Sequence, residues 1–285
     1  MKKEDKKKKI VVTIFTCIIL ICLLVWYAFA AYIQVNTRIS SDYLQGTVTK
    51  YVAHRGLSSE YYQNTYDAFY YAEETTFFGG IECDIWRTLD GVWVCCHDDT
   101  PFEDKSIKVS ERNFADIENL PLDTKNRGEL VKDGQDIYIT TYEQYLGIMR
   151  YSRKKAFVEI KFGYSQEIIE ELIDFTSQKC KLSKVIFISF NKKVLELVAT
   201  YTRQVKIMLL SNEEFASYLY AKMGYNLGLS KNVLNKRESR VELLHEHNSF
   251  AYVYTVNSLE EAKKFEEMEV DYIATDYDLN KKSNL

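Results

Sequence analysis

The chain has 285 residues, 46% hydrophobic and 27% charged, with 11 Gly, 2 Pro and 6 Cys, a composition that excludes collagen-like, linker-like and disordered chains. Its net charge of −4 hides an asymmetry, because residues 1–9 hold six Lys against Glu4 and Asp5 and the remainder therefore carries −8. A nucleic-acid partner is not expected, since a phosphate-tracking surface needs clustered Lys and Arg outside that tail.

Behind the basic tail, the 24 residues from Ile10 to Ile33 carry no charge. As a helix they would reach about 36 Å, enough to cross a hydrocarbon core of roughly 30 Å. Lysines crowd the segment before this span, while only Arg38 and Lys50 follow it closely. Residues 1–9 are therefore expected in the cytoplasm, with a single-pass helix over 10–33, a linker over 34–50 and an extracytoplasmic domain over 51–285. A cleaved signal peptide, processed after the small-x-small pattern Ala28-Phe29-Ala30, competes with this reading, but the apolar run is longer than such peptides usually have. Cys83, Cys95, Cys96 and Cys180 are too few for a disulfide scaffold and lack zinc-ligand spacing, so they read as small buried apolar residues.

From Tyr51 onward, β-rich runs alternate with amphipathic helical windows, the pattern of parallel βαβ units. Eight strands are predicted, at 51–54, 80–86, 156–160, 185–189, 205–209, 226–229, 250–255 and 272–275. Helices are predicted at 65–74, 141–150, 166–178, 191–201, 213–222, 238–247 and 259–268. Eight strands with intervening helices in about 235 residues predict an α/β fold, a TIM (β/α)8 barrel. The rhythm breaks between Trp86 and Thr141, where a hairpin over 92–96 leads into some forty polar residues. That stretch is expected to be a small insertion in the second βα unit, at about 98–139, ending at a helix capped by Thr140 or Thr141.

Polar residues at the C-terminal ends of such strands converge on one mouth. His54-Arg55-Gly56 closes the first strand and His97-Asp98 follows the hairpin, whereas His245 and His247 fall on a polar helix face and read as ordinary structural residues. Glu82 and Asp84 share one strand face, and Glu159 and Lys161 repeat the spacing on the third strand. Three carboxylates with no Cys on their face suit Ca²⁺ or Mg²⁺ better than zinc, while a salt-bridge network with Arg55, Lys161 and Arg87 is the alternative. Two histidines, three carboxylates around a divalent ion, and two cations suit phosphodiester cleavage, with one histidine taking a proton and the other giving one.

This ordered series resembles the glycerophosphodiester phosphodiesterases: His54-Arg55-Gly56, Asn64-Thr65, Glu82-x-Asp84, Asp90-Gly91, His97-Asp98, Glu159-x-Lys161, Tyr254-Thr255-Val256-Asn257, and Asp271 through Asp276. The resemblance implies a TIM barrel with a small insertion. It also implies Glu82, Asp84 and Glu159 as metal ligands, His54 and His97 as the acid–base pair, Arg55 and Lys161 at the phosphate, and Tyr254 as a wall of the substrate site. The expected products are glycerol 3-phosphate and an alcohol, reached by attack of a substrate glycerol hydroxyl and hydrolysis of a cyclic phosphate. Three departures stand out: Gln63 replaces a Glu, Tyr254 a Trp, and Thr140 a Pro. A same-fold alternative acts on phospholipid or on a polyol-phosphate wall polymer. A tethered binding protein without catalysis is a further one.

Overall fold

The computed structural model describes residues 13–27, 48–126, 128–132 and 134–282. Residues 13–27 form one helix, α1, exposed along its length. They are the middle of the expected membrane span, whose two ends, like residues 1–9 and 34–47, lie outside the described residues. Among the described residues no helix is long and apolar enough to cross a membrane.

Eight parallel strands close into a barrel: β1 (Lys50–Ala53), β2 (Phe78–Arg87), β5 (Lys155–Ile160), β6 (Val185–Ser189), β7 (Lys206–Ser211), β8 (Leu227–Ser230), β9 (Ala251–Tyr254) and β10 (Tyr272–Thr275). Closure comes from β1, which pairs in parallel with both β10 and β2. All eight predicted strands are present. The sixth begins one residue later than expected because Asn226 turns its side chain to the backbone, donating to Ile207 O at 2.9 Å and accepting from Phe250 N at 2.9 Å.

The helices α2 (Tyr66–Glu74), α4 (Tyr142–Tyr151), α5 (Gln166–Lys179), α6 (Lys192–Tyr201), α7 (Glu214–Lys222), α9 (Arg240–Glu246) and α10 (Leu259–Glu267) return the chain between strands. Of the two candidate caps for α4, Thr141 does the work: its hydroxyl accepts from Gln144 N while Gln144 reaches back to Thr141 N, which pairs otherwise orphaned donors. Thr140 instead joins a short strand, and its hydroxyl accepts from Tyr66 N at 2.9 Å. Three short helices among the described residues escaped the pattern, α3 (Phe114–Ile117), α8 (Lys231–Lys236) and α11 (Leu279–Lys282), none long enough to show a helical period.

The excursion after β2 is an antiparallel extension. Strand β3 (Trp93–Cys95) pairs back onto β2, and β4 (Thr140–Thr141) onto β3. Between them α3 (Phe114–Ile117) and a loop enclose a small core of Val94, Cys96, Phe102, Val109, Leu122 and Ile139. The insertion therefore buries its own apolar face beside the barrel mouth.

Two layers of apolar side chains lie on either side of the sheet. Outward-facing residues such as Ile81, Cys83, Ile85, Ala156 and Val158 meet the helices. The barrel interior holds Val52, Phe157, Ile188, Met208, Leu210 and Tyr252. Its floor depends on two glycines: a Cβ at Gly80 would lie 2.9 Å from the Phe157 ring, and one at Gly228 would lie 2.4 Å from Leu210. Small residues at these points let Phe157 and Tyr252 stack across the axis, with ring centroids 5.4 Å apart. Cys95 and Cys96 face opposite cores, all four domain cysteines are buried, and none is disulfide-bonded.

Phe157→Ala should destabilise the fold by about 3–5 kcal/mol, because it empties the barrel axis. Phe215→Ala, at a position 74% exposed on α7, should stay within about 0.5 kcal/mol, and urea unfolding distinguishes the two.

Candidate active site

Strand register builds the site directly above the Phe157–Tyr252 layer. Side chains alternate on β2, so Gly80, Glu82 and Asp84 face inward while Cys83 and Ile85 face the helices. The β2–β5 register sets Glu82 beside Phe157 and Asp84 beside Glu159. One oxygen from each of Glu82, Asp84 and Glu159 falls within 4.8 Å of the others, and all three residues are buried. Arg87 has the outward parity, and it pairs with Glu171 at 3.0 Å. The expected salt-bridge alternative is corrected there: Arg87 is not part of the cluster.

Two cations reach in. Lys161 Nζ lies 2.9 Å from Glu159 and 3.3 Å from Asp84, and Arg55 Nε lies 3.3 Å from the other Asp84 oxygen. The backbone N–H of Arg55 donates to Glu82 at 2.8 Å. This contact needs the left-handed turn that follows β1, with Arg55 at φ 59° and Gly56 at φ 82°. A Cβ at Gly56 would also collide with the backbone of Ala68, 2.6 Å away, so the turn requires glycine twice over. Gln63 accepts from Arg55 at 2.5 Å, and so the amide anchors the same guanidinium without adding a charge.

Electrostatics follows from this crowding. Burial, then the charges of Asp84 and Glu159, push the Glu82 carboxyl well above its ordinary range. Burial and Asp84 likewise raise Glu159 to about 7, against the pull of Lys161. Asp84 is the exception: burial opposes its ionisation, yet Arg55, Lys161 and His97 outweigh it and hold it at about 2. The cluster thus carries more buried acid than its two side-chain cations can neutralise. Hard oxygen donors at this separation, two of them biased towards holding protons for want of positive charge, fit a divalent ion. Arg55 Nε is buried at the edge of the cluster and meets Asp84 as an ion pair without hydrogen-bond geometry.

The histidines sit on either side. His54 Nδ1 lies 2.7 Å from Asp276. Ser58 donates to the same Asp276 oxygen at 3.0 Å and Asn257 to the other at 2.6 Å. Burial works against the Asp276 charge, but these hydrogen bonds prevail and keep the carboxyl below its ordinary range. His97 Nδ1 lies 2.9 Å from Asp98, and Trp86 donates to the His97 carbonyl at 3.2 Å. Burial lowers the His97 pKa below its ordinary 6.5; Asp84 pulls it up, and Arg55 and Lys161 add to the lowering. Tyr254 stands at the rim with its hydroxyl 3.1 Å from Asn212, and burial and Glu159 keep the phenol protonated. His245 is half-buried against Asp271 at 3.1 Å, away from the mouth, in keeping with its structural reading.

Every site residue expected from the sequence lies at this mouth, whereas Arg87, a partner only in the salt-bridge alternative, does not. Sequence reasoning assigned no role to the residues that hold them: Asp276, Asn257 and Ser58 around His54, and Asn64 on Asp84. Asn64 donates to the Asp84 carboxylate at 2.7 Å and accepts from its backbone N–H at 3.0 Å. Their signal was position, since Asn64, Asn257 and Asp276 all lie in the quoted motifs, Asn257 and Asp276 just beyond strand ends and Asn64 just before the cap of α2.

A parallel barrel whose mouth combines buried carboxylates, paired cations and two carboxylate-linked histidines defines a hydrolase of phosphoryl-type substrates. The profile of the glycerophosphoryl diester phosphodiesterase family matches residues 54–278, and the chain belongs to that family. Solved structures agree in fold. A glycerophosphodiester phosphodiesterase from Parabacteroides distasonis superposes with a TM-score of 0.66 at 22% identity, over 81% of this chain and 94% of that one. A second relative, from Silicibacter pomeroyi, gives 0.70 at 18% identity, over 82% and 91%. A phosphodiesterase from Oleispira antarctica, solved with the product sn-glycerol-3-phosphate, gives 0.67 at 17% identity, over 83% and 96%. A search of curated proteins returned no match.

Asp276→Asn keeps the shape but removes the charge facing His54. Phosphodiester turnover should fall on the order of 10²-fold with the urea midpoint nearly unchanged. An unaltered kcat would show that His54 needs no such partner.

Proposed function

We propose that the chain is a membrane-anchored, metal-dependent phosphodiesterase, exposed on the outer side of the cell membrane, which cleaves glycerophosphodiesters to glycerol 3-phosphate and an alcohol. The reading is carried by the three buried carboxylates within 4.8 Å of one another, edged by Arg55 and Lys161. Glu82, Asp84 and Glu159 would hold Ca²⁺ or Mg²⁺, which supplies charge stabilisation at phosphoryl oxygens. Arg55 offers the phosphate one positive charge beside Asp84, and Lys161 a second.

The two imidazoles differ in surroundings, and that difference assigns their roles. His97 is held neutral by burial and by the neighbouring cations, so it takes the proton from a glycerol hydroxyl whose oxygen attacks phosphorus. His54 faces Asp276, which compensates a proton on the far nitrogen, so it protonates the departing alcohol oxygen. Water then opens the resulting cyclic phosphate with the roles reversed. Tyr254 walls the site and donates nothing ionic. A lipid or polyol-phosphate substrate is the second reading, favoured by Phe162 and Phe190, 58% and 49% exposed beside Lys161.

The test is release of glycerol 3-phosphate from glycerophosphocholine by the full chain, with chelator, with Ca²⁺ or Mg²⁺ restored, and with His54→Ala alongside. Metal-dependent release, lost in the variant, is expected. Release only from lysophospholipid would support the second reading, and no release from either would sink both. Glu82→Gln should require more metal for half-maximal activity, and unchanged dependence would mean that the carboxylates serve only as salt-bridge partners. In the pH profile, His97 must be neutral to act. Its lowered pKa puts the acid-side fall in activity below pH 6.5, and His97→Ala should remove that limb.

A further inference from the structure

The end of the barrel opposite the mouth is strongly basic over one half. Strands β5, β6 and β7 begin there, and the loops that lead into them, residues 150–155, 179–184 and 203–206, contain nine Lys and Arg and no Asp or Glu. This is the reverse of the acidic balance of the domain. Two of these lysines are consumed by the fold. Lys184 donates to the carbonyls of Met149 and Arg150, each at 3.2 Å, and Lys154 to those of Ala72 and Thr75 at 2.6 and 2.8 Å, closing helix C-termini. Lys179 pairs with Glu143.

Arg150, Arg153, Lys181 and Arg203 are different: all four are exposed. Among the described residues none of them has a carboxylate partner, and Arg150 lies over the ring of Tyr151, itself 83% exposed. A groove runs between the α4 and α5 ends, lined by Arg150, Arg153, Gln178 and Lys181. Neither packing nor the active site uses these charges, since the site is at the other end of the strands.

The chain enters on this same end. β1 starts at Lys50, in register with the start of β10, so the described chain enters the barrel at the floor and not at the mouth. We propose that the basic floor rests on the surface of an anionic phospholipid bilayer, with Arg153, Lys181 and Arg203 at the headgroups, so that the mouth faces away from the membrane. The proposal rests on the anchored reading of residues 10–33. Fourteen residues, 34–47, lie between that segment and Val48, and the floor charges set the orientation of the barrel. Near physiological salt such attraction acts only within about 8 Å, so it requires the floor loops to lie at the headgroups. Substrate then enters from the solvent side, which favours soluble glycerophosphodiesters over lipids of the anchoring bilayer.

The experiment is hydrogen exchange of the full chain in nanodiscs of phosphatidylcholine alone or mixed with phosphatidylglycerol, for the wild type and for a variant with Arg153→Ser, Lys181→Ser and Arg203→Ser together. Slower exchange of the three floor loops on anionic discs is expected. It should vanish near 1 M salt, where the screening length is roughly 3 Å. Each lost cation should weaken the protection by about fivefold, while glycerophosphocholine hydrolysis stays unchanged. Equal exchange on both disc types, or in both proteins, overturns the proposal. Equal protection by soluble polyglutamate overturns the bilayer as its occupant. Co-elution with the discs reports the anchor separately; should it fail, the same loops read against added anionic vesicles still decide the floor contact.

Discussion

Three carboxylates forced together inside a closed barrel are the constraint on which the rest of this site depends. Alternation on β2 and β5 gives Glu82, Asp84 and Glu159 no outward option, and the layer of Phe157 and Tyr252 beneath them excludes water from below. Buried charge of one sign must be met by charge of the other or be neutralised by protons. The structure uses both answers. Arg55 and Lys161 keep Asp84 ionised, while Glu82 and Glu159 are pushed towards the protonated form. A divalent ion held between the three carboxylates would resolve the same imbalance.

The surrounding polar residues make sense as consequences of that crowding. The turn at Arg55 and Gly56 adopts left-handed conformations in order to aim a backbone N–H at Glu82, and Asn64, also at positive φ, clasps Asp84 by side chain and backbone together. The histidines are positioned by carboxylates of their own and differ in what else they face. His54 has an anion held by three hydrogen-bond donors, and His97 has two cations nearby. That asymmetry, produced by tertiary neighbours, gives two chemically identical rings different charge environments.

The two ends of the barrel carry opposite electrostatic tasks. Strand C-termini gather the acidic mouth and its insertion. Helix C-termini and strand starts gather a basic floor, where some lysines serve as caps for helix carbonyls and others face solvent. Because the chain enters β1 at the floor, its entry point and the catalytic mouth are separated by the height of the barrel.

Much of this was legible in the sequence. Strand and helix periodicity marked the eight strands and seven main helices, since repetition of βα units survives without knowledge of neighbours. The i, i+2 spacing of Glu82 and Asp84 required a shared face, and the ordered motifs identified the family before any contact was known. What periodicity could not supply was pairing between distant segments. Thr140 belonged to a strand because β3 was there to pair with it, and α8 was too short to show a period. Arg87 left the site because strand parity turned it towards Glu171 on a helix 84 residues later. Asp276, itself bonded by Asn257, became the partner of His54 only when β10 closed on β1. The sequence by itself thus determined the local elements and the chemical types at the mouth, because these depend on neighbours along the chain. Tertiary structure alone decided which groups share charge and protons, because that depends on register and closure across more than two hundred residues.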